Sequence, residues 1–160
     1  MSVVRCLRSL LLFAALGLPG CDTGLPEFKD SARLSAEARD REAEEMLAKK
    51  QTPEARAWLA VDKGHGLWKV DRATAKRLVD SLYAAGAPQV YVSNIVKHDG
   101  SEWTAEFMAE LPTDPAARAR VFQTAEAFWK SYLPSEGPEE LQELIESDNG
   151  QKFMMFNFDL

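Results

Sequence analysis

Residues 89–111 read QVYVSNIVKHDGSEWTAEFMAEL, and their alternation decides the fold. Gln89 to Lys97 is rich in β-branched residues. Glu102 to Leu111 alternates strictly, with Trp103, Ala105, Phe107, Ala109 and Leu111 on one face. Between them, His98-Asp99-Gly100-Ser101 is the turn of a β-hairpin. Counting outward from the turn pairs Val96 with Trp103 and Val92 with Phe107 on the face expected to meet helices. The opposite face pairs Lys97 with Glu102, Ile95 with Thr104, Ser93 with Glu106, and Tyr91 with Met108. Turn chemistry and face chemistry agree on one register, and a slip by one residue would destroy both.

The flanking segments extend this hairpin into a domain over residues 53–160. Leu67-Trp68-Lys69-Val70 reads as a short strand. Asp71 is the N-cap of a helix whose apolar stripe is Ala75, Leu78, Val79, Leu82 and Tyr83, closed by Gly86. Asp114-Pro115 opens a second helix with the stripe Val121, Phe122, Ala125, Phe128, Trp129 and Tyr132. A short helix is expected over 139–146, and a last strand over 151–159. The order β-α-β-β-α-β predicts an α+β, ferredoxin-like antiparallel sheet with two helices on one face. The expected core is Leu78, Leu82, Val92, Trp103, Phe107, Phe122, Phe128 and Phe156. The last strand, Phe153-Met154-Met155-Phe156-Asn157-Phe158, is apolar on both sides and so expected to be covered on both. Upstream, Thr52-Pro53 predicts the start of a short helix through Trp58 and Leu59.

Before this domain the chain changes character. Residues 31–50 are dense in Ala, Glu, Arg and Lys, with i,i+4 pairs such as Glu37–Arg41 and Glu45–Lys49. Leu34, Ala38, Met46 and Leu47 make only a thin apolar stripe, so this tether helix, in a linker over 21–52, reads as a solvated spacer. Residues 1–20 carry Arg5 and Arg8 ahead of the uncharged run Leu10–Leu18. Those nine residues fall far short of the roughly 20 that a membrane-spanning helix needs, and have the length of a signal-peptide core. Leu18-Pro19-Gly20-Cys21 resembles the lipobox of bacterial lipoproteins. The resemblance implies cleavage before Cys21, acyl chains on Cys21, and attachment of the domain to a membrane of the cell envelope, outside the cytoplasm. Asp22, next to that cysteine, resembles the inner-membrane retention signal of enteric bacteria. LYAAGA, ELPTDPAAR and DNGQKFMMFNFD, within residues 55–160, resemble segments of an uncharacterised bacterial envelope domain family, which implies no activity.

Charge and composition narrow the function. The 160 residues hold 19 Lys and Arg against 25 Asp and Glu, a formal net charge of −6. Such a chain lacks the basic footprint of a nucleic-acid binder. The only cysteines are Cys6 and Cys21, so acylation of Cys21 leaves no disulfide and no thiolate metal site. His65 and His98 both stand in turn-like contexts, and neither belongs to an H-x-x-x-H or H-E-x-x-H spacing. No G-x-S-x-G and no phosphate-binding glycine loop is present. Gly64-His65-Gly66 reads as a turn. The sequence therefore predicts no catalytic residue, no cofactor and no metal. Tyr91, Ile95, Thr104 and Met108, rimmed by charge, form the expected docking patch on the open sheet face, left uncovered by the tether helix. The expected function is a non-catalytic, membrane-anchored envelope lipoprotein presenting its domain to a protein partner or to a second copy. The alternatives are a small-ligand module on the same open face, or a hydrolase with an unrecognised site.

Overall fold

The computed structural model describes residues 26–133, 144 and 146–159. The expected signal segment, Cys21 and Asp22 lie outside these residues, as does most of the helix expected over 139–146. The chain folds as mixed α+β. Among these residues four helices, α1 (Pro26–Ala48), α2 (Ala55–Ala60), α3 (Arg72–Ala85) and α4 (Pro115–Tyr132), accompany six strands. The strands are β1 (His65–Leu67), β2 (Val90–Ser93), β3 (Val96–His98), β4 (Ser101–Thr104), β5 (Glu106–Glu110) and β6 (Phe153–Asn157).

The hairpin forms in the expected register. Val92 lies opposite Phe107 and Tyr91 opposite Met108, while nearer the turn Lys97 meets Glu102 and Val96 meets Trp103. Its two-residue loop, Asp99-Gly100, has φ of 49° and 76°, the positive values a type I′ turn demands. Halfway along, however, the ladder breaks at Asn94-Ile95 and Ala105, and the expected Ile95–Thr104 pair is missing from the register. The Thr104 hydroxyl fills the gap: it donates to the Ser93 carbonyl at 2.6 Å and accepts from the Glu106 amide at 2.9 Å. Asn94 takes a φ of 47° there. Pairing on either side of the break keeps one register, so the kink costs the hairpin direction but not alignment.

The break replaces the expected single sheet with two three-stranded sheets, ordered β2-β5-β6 and β1-β4-β3. In the second, β1 runs parallel to β4, with His65 opposite Glu102 and Gly66 opposite Trp103. The four-stranded antiparallel ferredoxin-like sheet is thus corrected to this divided arrangement, because β6 pairs directly with β5 and leaves β1 only the turn end of the hairpin. The first strand is also shifted from 67–70 to His65–Leu67, since Lys69 has a φ of 65° and ends the extended run.

The core lies between β2-β5-β6 and the pair α3–α4. Leu78, Leu82, Val92, Phe107 and Phe156 are buried there, as expected. Trp103 is only half-buried and Val96 is 47% exposed, because the outer sheet turns away from the helices, while Phe122 and Phe128 of α4 pack half-buried at the edge of the core. Asp71 and Asp114 cap α3 and α4 as read, accepting from the Thr74 and Ala117 amides. Phe158 packs edge-on against Phe107, Phe128 and Tyr132.

The tether helix is not a solvated spacer. It lies across the other face of β2-β5-β6, where Ala43 joins Met108 and Phe153 in a second apolar cluster with Met46, Leu47, Tyr91 and Met155 around it. Ala36 and Ala43, 2% and 1% exposed, let the helix approach closely. Asp40 accepts from the amides of Lys152 and Phe153 at 2.9 and 3.1 Å, capping the start of β6 across more than a hundred residues of sequence. The last strand is therefore covered on both faces, as its composition predicts.

Two outcomes test this account. Thr104→Val keeps shape but leaves a buried amide and carbonyl unpaired; it should destabilise the fold by about 1–3 kcal/mol, and Thr104→Ser by much less, in urea titrations. Asp148 offers a pH test. The hydrogen bonds from Arg118, two at 2.7 Å, hold its carboxyl below the ordinary range against a smaller opposing effect of burial. A depressed pKa stabilises the fold above the unfolded value of 3.8 and is lost as pH falls through the folded value. Asp148→Asn should accordingly lower the melting midpoint at neutral pH and converge with the unaltered chain in acid.

Candidate functional site

The small outer sheet has two chemically different faces. Strand alternation puts Lys97, Glu102 and His65 in one row across β3, β4 and β1. It puts Val96, Trp103 and Gly66 in the row on the reverse side, with Trp68 stacked beside Trp103 at 6.0 Å. The polar row faces α2, whose Trp58 completes it.

Helix α2 is held in place by hydrogen bonds at both ends. Its N-cap is Glu54, not Thr52, and the Glu54 carboxylate accepts from the Arg56 and Ala57 amides. It also accepts from the Tyr83 hydroxyl at 2.6 Å, which in turn accepts from the Val90 amide at 3.1 Å. Burial alone would raise the Glu54 carboxyl, but these hydrogen bonds outweigh it and hold the group below its usual range. Tyr83 moves the other way, pushed up to about 12 by burial and by the adjoining Glu54 carboxylate. At the far end of α2, Arg72 donates to the carbonyls of Leu59, Val61 and His65. One guanidinium thus bolts the end of α2 to the first residue of β1.

Between these supports His65 stacks on Trp58, ring centroids 4.5 Å apart and 10° from parallel. Its Nδ1 lies 2.9 Å from the Trp58 carbonyl, an acceptor, so the proton belongs on Nδ1 and Nε2 is left toward Glu102 at 3.6 Å. Glu102 Oε2 also accepts from Trp58 Nε1 at 3.2 Å, while its Oε1 lies 3.5 Å from Lys97 Nζ. The four side chains line one wall of a cleft of about 740 Å³. The opposite wall comes from the C-terminal end of α1 and the segment after it, with Met46, Lys50, Thr52 and Pro53, and Ile95 lies beside the hairpin break. This volume is within the range of small-molecule sites, roughly 300–1,000 Å³.

The expected docking patch is not a free surface. Met108 and Thr104 are wholly buried, Tyr91 is half-buried under α1, and Ile95 belongs to the cleft. The structure brings together Tyr91 and Met108 beneath the tether helix, and assigns Thr104 to the hairpin break. His65, read as a turn residue, stands on β1 and carries the cleft wall; His98 ends β3 opposite Ser101, is exposed, and its Nδ1 lies 3.2 Å from Asp99. The missed signal was Gly66. A Cβ at Gly66 would sit 2.3 Å from the Trp103 ring, so the glycine exists for a neighbour distant in sequence rather than for a turn. Among the described residues no group of three or more His, Cys, Asp or Glu could hold a metal ion, and no helix is long and apolar enough to cross a membrane. No protein-family model, curated protein or solved structure matches the chain.

Gly66→Ala should push Trp103 off β1, destabilise the fold by about 1–3 kcal/mol, and change the near-ultraviolet dichroism of the Trp68–Trp103 pair. An unchanged spectrum and stability would show that the indole does not lie on that glycine.

Proposed function

We propose that the chain is a non-catalytic envelope lipoprotein, anchored through acyl chains on Cys21, whose domain binds a small ligand in the cleft beside Trp58, His65 and Glu102. The anchor reading rests on the lipobox-like Leu18-Pro19-Gly20-Cys21. The binding reading rests on one observation: a preformed concavity whose polar groups are held rigid by packing and hydrogen bonds from α2, β1 and β4. His65 Nδ1 is engaged with the Trp58 carbonyl, and Glu102 is shared between Trp58 Nε1 and Lys97 Nζ, which favours holding a ligand over transferring protons. The ligand site moves from the open sheet face to the end of α1, because α1 closes that face. The same closure is why the reading rests on a ligand rather than on a partner docked at Tyr91 and Met108.

The test has two arms. Cys21→Ser should move the chain from the membrane fraction to the soluble one, and intact mass should show acyl groups on the unaltered chain alone. A thermal-shift screen of envelope metabolites should yield a compound whose stabilisation, about 2.7 kcal/mol at a hundredfold excess over Kd, is lost in His65→Ala. An unacylated chain overturns the anchor, and stabilisation that survives His65→Ala overturns the site.

A further inference from the structure

The cleft's charge and lining say more about what it would hold. The chain as a whole is acidic, at −6, yet the cleft residues Lys50, Lys97 and Glu102 sum to a positive charge. Glu102 is the only carboxylate in its lining, and it is engaged: Trp58 Nε1 donates to it and Lys97 Nζ lies 3.5 Å away. Lys50, by contrast, is exposed and makes no ion pair among the described residues. A cationic ligand would meet a carboxylate already neutralised, whereas an anionic one would meet an unpaired ammonium. The C-terminal end of α1 works against an anion, and Lys50 sits two residues past that end, where it offsets the helix dipole. Met46, Pro53, Ala57 and Ile95 give the lining an apolar patch, beside the polar Gln51, Thr52 and Asn94.

From this arrangement we infer that the cleft takes an amphipathic anion, a single carboxylate on a compact apolar body. The carboxylate lies between Lys50 and Lys97, and the apolar body lies against Met46, Pro53 and Ile95. This inference rests on the cleft being the ligand site, and the experiment separates the two claims.

The full chain in lipid nanodiscs, with empty nanodiscs as the blank, is titrated calorimetrically with benzoate, benzylamine and benzyl alcohol. Benzoate should bind at least tenfold more tightly than the other two. Lys50→Gln with Lys97→Gln, both on exposed side chains, should erase that preference, and raised salt should weaken it. Ile95→Ala should weaken all three probes together. If benzylamine or benzyl alcohol binds as well as benzoate and Ile95→Ala weakens it, the cleft is a ligand site but not one for anions, and the inference fails alone. If no probe binds, or binding ignores both the lysine and the Ile95 substitutions, the cleft reading fails with it.

Discussion

The Thr104 hydroxyl stands where one long hairpin stops being one ladder, and both halves of the molecule depend on it. On one side of the break, β2 and β5 carry Val92 and Phe107 into the core and take β6 as their third strand. On the other, β3 and β4 turn away and accept β1, so that Lys97, Glu102 and His65 fall into a row facing α2. A straight hairpin would have aimed Trp103 and Val96 at the helices and left no wall for a cleft. The backbone of Thr104 serves the same junction, since its carbonyl accepts from the Trp68 amide at 2.9 Å. A single buried side chain thus satisfies the groups that a regular ladder would have paired, and the cost of an unpaired buried group explains why a hydroxyl is needed there.

The hairpin register, the caps of α3 and α4 and the two-sided burial of the last strand were all legible, because each depends on residues close in sequence or on alternation along one strand. What could not be read depends on neighbours far away. Ala36 and Ala43 do not register as a hydrophobic stripe, yet small side chains are what bring α1 close to Met108 and Phe153. Asp40 looks like surface charge until β6 arrives with two amides to cap. Gly64-His65-Gly66 has the composition of a turn; only the Trp103 ring, supplied by a parallel neighbour, makes Gly66 part of a strand. Of the cleft, the Lys97–Glu102 pair followed from the hairpin register, whereas Trp58 and His65 did not, since nothing in their local spacing brings them together.

The polar contacts between elements differ in weight. Exposed pairs such as Arg56–Asp80 contribute on the order of 0–1 kcal/mol. Arg118 is of another kind: its side chain is 15% exposed, grips Asp148 with two hydrogen bonds, and also donates to the Gln151 carbonyl. It fixes α4 to the stretch that leads into β6, at the place where Asp40 caps that strand from the other side. Geometry of this quality gives β6 a defined starting point, and the register of β5 with β6 follows from it.

The hydrogen bonds from the Lys152 and Phe153 amides to Asp40 join the first described helix to the last described strand. Until β6 docks, Asp40 has no strand to cap, one edge of β5 is unpaired, and α1 has only the Met108 and Tyr91 side of its apolar cluster. Local pieces such as the 89–111 hairpin can form early, but the contacts that seal both faces of the sheet span nearly the entire length. Closure through contacts this distant in sequence slows folding, because the cost of bringing the two segments together comes before the contacts reward it.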